Sequence, residues 1–154
     1  MGLEELAQLG WYKAEASSPK EIADLLSIVE RSLADIEVAG ISDDLRFQAA
    51  YGGILTLATV ALRASGYRVS QSQSHHQRAI ESLEFTLTTE GRESKERWVR
   101  KLKSHSKKRN TTSYDLAGGV SANDLTQVMK DLKTLKGMVD ASLKAAHPEL
   151  LAED

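Results

Sequence analysis

The chain has 154 residues, with 20 Lys plus Arg against 22 Asp plus Glu, four His and no Cys. That length fits a single domain over 1–154, large enough to bury roughly 68–70% of the unfolded surface. A net charge of −2 excludes a uniformly polybasic protein, and the lack of Cys excludes disulfides, thiol nucleophiles and Cys-based zinc sites.

The opening MGLEELAQLG lacks the basic and apolar regions of a signal peptide. The most apolar run, 51–62, is shorter than the roughly 20 residues that span a bilayer, so the expectation is a cytoplasmic chain without a membrane partner. Helical periodicity then runs through the chain. Leu3, Leu6 and Leu9 mark a short opening helix. Ser18, Pro19 and Glu21 form a helix-start signature with a capping box. Ile22, Leu25, Leu26, Val29, Leu33 and Ile36 follow on one face, and Gly40 closes that helix.

Ser42, Asp43 and Asp44 open a third helix that reaches about Gly66. It is apolar nearly all round, which predicts a central position, with Gly52 and Gly53 giving either a kink or a close helix crossing. Ser74 and Gln77 form a second capping box, and Ile80, Leu83 and Leu87 are the stripe of the fourth helix. Gly91 ends it. A fifth helix spans about 92–108, followed by a linker, NTTSYDLAGGVS, with turn chemistry. Ser121 and Asp124 cap the last helix, whose stripe is Leu125, Val128, Met129, Leu132, Leu135, Val139 and Leu143. No segment alternates long enough to predict a strand. The fold class is an all-α bundle of five to six helices.

The largest local bias is charge. Residues 92–109 hold nine basic residues against Glu93 and Glu96, a local charge of +7, so the rest of the chain carries −9. Arg100, Lys101, Lys103, Lys107 and Lys108 are the candidate nucleic-acid contacts. The alternative is a solvated helix face. Just beyond lie Arg109, Asn110 and Tyr114. A guanidinium at a helix end suits bidentate phosphate binding, Asn110 suits a phosphate or ribose hydroxyl, and Tyr114 comes within reach if the loop folds back. The alternative is an ordinary helix C-cap.

His75 and His76 start a helix whose positive end disfavours protonation, leaving a neutral imidazole as a possible base. Their i+4 partners, Ala79 and Ile80, ligate nothing, so no metal site is expected. Phosphate-loop and serine-elbow motifs are absent, and no cofactor is expected.

The order of these features resembles the HEPN superfamily of small α-helical proteins. The residues that carry the resemblance are Gly66-Tyr67-Arg68, His75-His76, Lys107-Lys108-Arg109-Asn110, Tyr114-Asp115 and the final helix of 121–144, over about 20–145. It implies a homodimer in which two copies of an Arg-x4-6-His motif meet in one cleft. Many members are metal-independent endoribonucleases of toxin–antitoxin or phage-defence systems, with an antitoxin or nucleotidyltransferase as partner. By this resemblance Arg109 stabilises the transition-state charge and Asn110 is the polar residue after it.

The motif His is replaced by Tyr114, whose ordinary pKa near 10 makes it a poor base. Two functions follow: an endoribonuclease, or a non-catalytic HEPN module that binds RNA or a protein. Arg100/His105 and Arg68/His75 also match the spacing. Arg100 and His105 are not on one helix face, and His105 is expected to add to the basic surface.

Overall fold

The structure, a computed structural model, describes residues 2–71, 75–114 and 119–151, the side chains of 110–114 excepted. It is an all-α bundle. The helices are α1 (Leu3–Gln8), α2 (Pro19–Asp35), α3 (Asp43–Ala64), α4 (His75–Glu81), α5 (Leu83–Thr86), α6 (Arg92–Tyr114) and α7 (Ala122–Ala146), and a 3-10 turn (Pro148–Leu151) follows α7. Two three-residue strands, β1 (Tyr12–Ala14) and β2 (Tyr67–Val69), pair antiparallel with Tyr12 opposite Val69.

α3 is the centre, as its all-round apolar composition requires. Phe47, Ile54, Leu57, Ala58 and Val60 are completely buried, and α3 packs most extensively against α2 and α7. By length and composition α3 is also long and apolar enough to cross a membrane, but 56% of that window is buried among the other helices. The two glycines of α3 differ. A Cβ on Gly53 would meet Leu132 Cδ1 at 2.8 Å and Ser32 Cβ at 3.0 Å, so Gly53 lets α2, α3 and α7 cross closely. A Cβ on Gly52 would meet nothing within 4 Å.

Several expected boundaries shift. α2 stops at Asp35, a turn before Gly40, whose φ of +89° serves the following loop. Ser18 caps α2 by accepting from the Glu21 N–H at 3.1 Å, but the Glu21 carboxylate does not complete the box. It accepts instead from Ser17 and from Arg63, and these contacts hold it below the usual carboxylate range against the opposing effect of burial. The expected fourth helix divides into α4 and α5 around Ser82, whose hydroxyl donates to the Ala79 carbonyl at 2.6 Å and competes with the helical pattern. Ser74, half of the expected second capping box, lies outside the described residues. The Ser121–Asp124 box is present in full. The segment expected to begin a linker at Asn110 is helical to Tyr114, so α6 is longer than its periodicity indicated.

Arg63 is the one deeply buried cation of α3, at 5% exposure. Its guanidinium donates to Glu21 Oε1 and to the carbonyls of Glu15, Ala16 and Tyr67. These bonds satisfy its donors and fasten β1, β2 and the start of α2 to the central helix. Its role is structural. On the other side of the two-stranded sheet, the Arg78 guanidinium lies 3.2 Å from the Trp11 ring centroid, and the buried Tyr12 hydroxyl donates to the Arg78 carbonyl. Burial, reinforced by Glu81, pushes the Tyr12 phenol up to about 12.

Candidate functional site

The basic helix α6 lies across α3, α4 and α5. Trp98, Leu102, His105 and Arg109 recur at intervals of four, three and four, which places them on one face. That face is turned inward: Leu102 is fully buried, Trp98 packs on the core and His105 is 7% exposed. His105 does not add to the basic surface as expected. Its Nε2 donates to Asp131 Oδ2 of α7 at 2.7 Å, and its ring meets Phe47 edge-on.

Asp131 is 1% exposed and also accepts from Lys101 Nζ at 2.9 Å. Burial alone would raise its pKa. The hydrogen bonds from His105 and Lys101 and the Lys101 charge outweigh that and hold the carboxyl below its usual range. This ionised carboxylate ties α6 to α7 and fixes the rotation of α6 about its axis.

Other parts of the basic run are compensated in the same way. Lys103 pairs with Glu81 of α4 at 3.2 Å, Lys108 with Asp124 of α7 at 3.2 Å, and Arg92 with Glu96 at 3.1 Å. Lys101, Lys103 and Lys108 therefore spend much of their charge on holding helices together. Arg100, Lys103 and Lys107 line a groove of about 480 Å³ with Gln77, Ser104 and Ser106. Arg100 and His105 share a spacing but no site, because one faces the groove and the other the core.

The rotation set by Asp131 turns Arg109 toward α3. Arg109 Nε donates to Gln48 Oε1 at 3.3 Å, and the guanidinium lies 5.8 Å from the Tyr51 ring centroid. Tyr51 is 2% exposed, and its hydroxyl makes no hydrogen bond of good geometry, although Ser106 stands close by. Burial pushes this phenol above its ordinary value, against the opposing effects of Ser106 and Arg109.

From the other side α4 brings its two histidines, their rings edge-to-face at 4.2 Å. Partial burial holds His76 below its ordinary value, and the nearby His75 and Arg109 charges add to that. His76 is thus biased toward the unprotonated imidazole, a form able to accept a proton, and the Arg109 charge contributes to that bias.

The sequence-derived site is brought together only in part. The Arg109 charge acts on His76 electrostatically, although 33 positions separate the two. The side chains of Asn110 and Tyr114 lie outside the described residues. Their backbone is helical, which sets positions 109 and 114 about 140° apart around the axis and removes the expected loop that would fold back. Arg68 and His75 line one cleft, with Arg68 bonded to Glu15 at 2.9 Å. Among the described residues no cluster of three or more His, Asp and Glu is arranged to hold a metal.

Asp131, Gln48 and Tyr51 were not anticipated as site residues. Asp131 had a readable signal, since it falls between Val128 and Leu135 inside the apolar stripe of α7. No family model matches the chain, and no curated protein or solved structure is significantly similar to it.

Proposed function

We propose that the protein is a HEPN-like, metal-independent endoribonuclease that binds RNA along α6. The observation that supports this reading is that burial and the Arg109 charge both favour a neutral His76, on the helix whose Gln77 lines the groove with Arg100 and Lys107. In this proposal His76 does the work of the histidine that the Arg-x4-6-His pattern lacks in sequence. In this reading a ribose 2′-hydroxyl gives its proton to His76 and its oxygen bonds to the adjacent phosphorus. The P–O5′ bond breaks, and the 5′-oxygen takes a proton from the imidazolium. Arg109 neutralises the charge that builds on the non-bridging oxygens. Arg100 and Lys107 hold flanking phosphates. The proposal includes a cytoplasmic homodimer with RNA as substrate and an antitoxin or nucleotidyltransferase as partner.

The test is incubation of the pure protein with total cellular RNA in EDTA. Cleavage that persists in EDTA and disappears in Arg109→Ala and His76→Ala supports the reading. Tyr114 at the motif position favours the second reading, a non-catalytic module that binds RNA or a protein. In that case wild type binds RNA without cutting, and Tyr114→His gains activity. A wild type that neither binds nor cuts RNA removes both.

A further inference from the structure

α3 is covered on nearly every side. The exception is a strip of partly exposed residues, Gln48, Gly52, Leu55, Thr56 and Thr59, whose spacing puts them on one face. Over the upper part of this strip a cleft of about 330 Å³ opens between α2, α3, β2 and α4. Leu25, Leu55, Leu62 and Ala79 give it apolar walls, and His75 and His76 present imidazole rings at its mouth. Its volume lies at the low end of the roughly 300–1,000 Å³ of small-molecule pockets, room for one flat ring system rather than a chain.

The polar groups are specific. Thr56 Oγ1 donates to the Gly52 carbonyl and Thr59 Oγ1 to the Leu55 carbonyl, each at 2.9 Å. Their protons are therefore committed, and each hydroxyl oxygen can only accept from a ligand. Arg63, in the same wall, has its donors engaged by Glu21 and backbone carbonyls, and Arg68, which also lines the cleft, is paired with Glu15. The ligand that suits this cleft has flat apolar faces and an edge that donates N–H. At the lower end of the strip Gln48 holds Arg109, about 12 Å below Thr56 at roughly 1.5 Å per residue. His76 lines the cleft and feels the Arg109 charge.

We infer that this cleft seats a nucleobase of the bound RNA strand, within one or two nucleotides of the phosphate at Arg109, and selects bases that carry an exocyclic amine over uracil. The inference rests on the RNA-binding reading above. An exocyclic amine of adenine or cytosine donates to the threonine oxygens, whereas uracil offers only its N3–H, flanked by two carbonyls that those oxygens repel. The apolar walls and imidazoles supply stacking surface of the kind that holds unstacked RNA bases.

The experiment compares the binding of short oligo(A), oligo(C) and oligo(U) in EDTA, by fluorescence anisotropy, to wild type, Thr56→Val/Thr59→Val, Leu55→Trp and Arg109→Ala. Wild type is expected to prefer oligo(A) and oligo(C) by about tenfold, the effect of one well-made hydrogen bond. The double valine variant keeps shape and removes the acceptors, so it should lose the preference while oligo(U) affinity stays the same. Leu55→Trp fills the cleft and should bring oligo(A) and oligo(C) down to the oligo(U) level. Arg109→Ala should weaken all three about equally.

Equal binding of all three by wild type, with Arg109→Ala still weaker, overturns the base pocket and leaves the RNA reading intact. No binding of any oligonucleotide overturns both. A change in molecular mass of Leu55→Trp by light scattering, without a change in base preference, makes the cleft a protein interface and overturns the inference. Free AMP that competes as well as oligo(A) makes a free nucleotide the ligand and overturns it too.

Discussion

Two side chains, Arg109 and Asp131, govern the candidate site by different means. Arg109 faces the cluster directly, and its loss should weaken RNA binding by roughly 10- to 150-fold, the worth of a charge-assisted contact of about 1.5–3 kcal/mol. Asp131 acts through position. Asp131→Ala removes the carboxylate that His105 and Lys101 share and should lower stability by about 1.5–3 kcal/mol in urea unfolding.

The pH dependence has a definite sign. The folded carboxyl of Asp131 lies below its unfolded value near 3.9, so its contribution is complete above that value. It is lost as pH falls through the lower, folded pKa. Circular dichroism from pH 7 to pH 2 should therefore show acid unfolding confined to the region below about pH 4, with a shallower loss in Asp131→Asn. His76 sets the acid limb of any activity. The neutral base is required and its pKa is depressed, so cleavage should begin to fail only below the ordinary value of about 6.5. A pH–rate profile with its acid midpoint well above 6.5 would count against His76 as the base.

Among the helices, the close crossing at Gly53 is the most sensitive point. Gly53→Ala forces a Cβ to 2.8 Å from Leu132 Cδ1 and should cost about 1–3 kcal/mol. Gly52→Ala meets nothing within 4 Å and should gain about 0.5–1 kcal/mol from better helix propensity. Thermal unfolding of the two variants should move in opposite directions. The sequence offered both glycines with no means of ranking them, because the difference lies in what crosses the helix there. Composition did locate α3 at the centre, since an all-round apolar helix has no solvent face to offer.

The strands were not readable, because three residues are too few to display a period of two. Their place is fixed instead by Arg63, which collects the carbonyls of Glu15 and Ala16 just after β1 and of Tyr67 in β2. The inward face of α6 was readable in principle. His105 and Arg109 sit in register with Trp98 and Leu102, but the density of Lys and Arg masked a core-facing stripe. The electrostatic influence of Arg109 on His76 had no local signal. It follows from how α4 and α6 are laid against α3.

The whole molecule has a nearly neutral net charge and a polarised distribution, yet much of the positive run is consumed by contacts to Glu81, Asp124 and Asp131. Simple charge counting overstates the RNA footprint. Arg100→Ala and Lys107→Ala should each lower RNA affinity and reduce the slope of log affinity against log salt by about 0.7–0.9, as single phosphate contacts do. Lys103→Ala and Lys108→Ala should change that slope less and stability more. A dimer is part of the same account, and light scattering across a concentration series should give twice the 16.9 kDa chain mass.

The central claim is that Arg109 and His76 together act on RNA. The most direct measurement is RNA cleavage in EDTA by wild type, Arg109→Ala, His76→Ala and Tyr114→Phe, each confirmed folded by circular dichroism. The account predicts cleavage by wild type and Tyr114→Phe and none by the other two. Cleavage that survives His76→Ala, or disappears only in Tyr114→Phe, would contradict it.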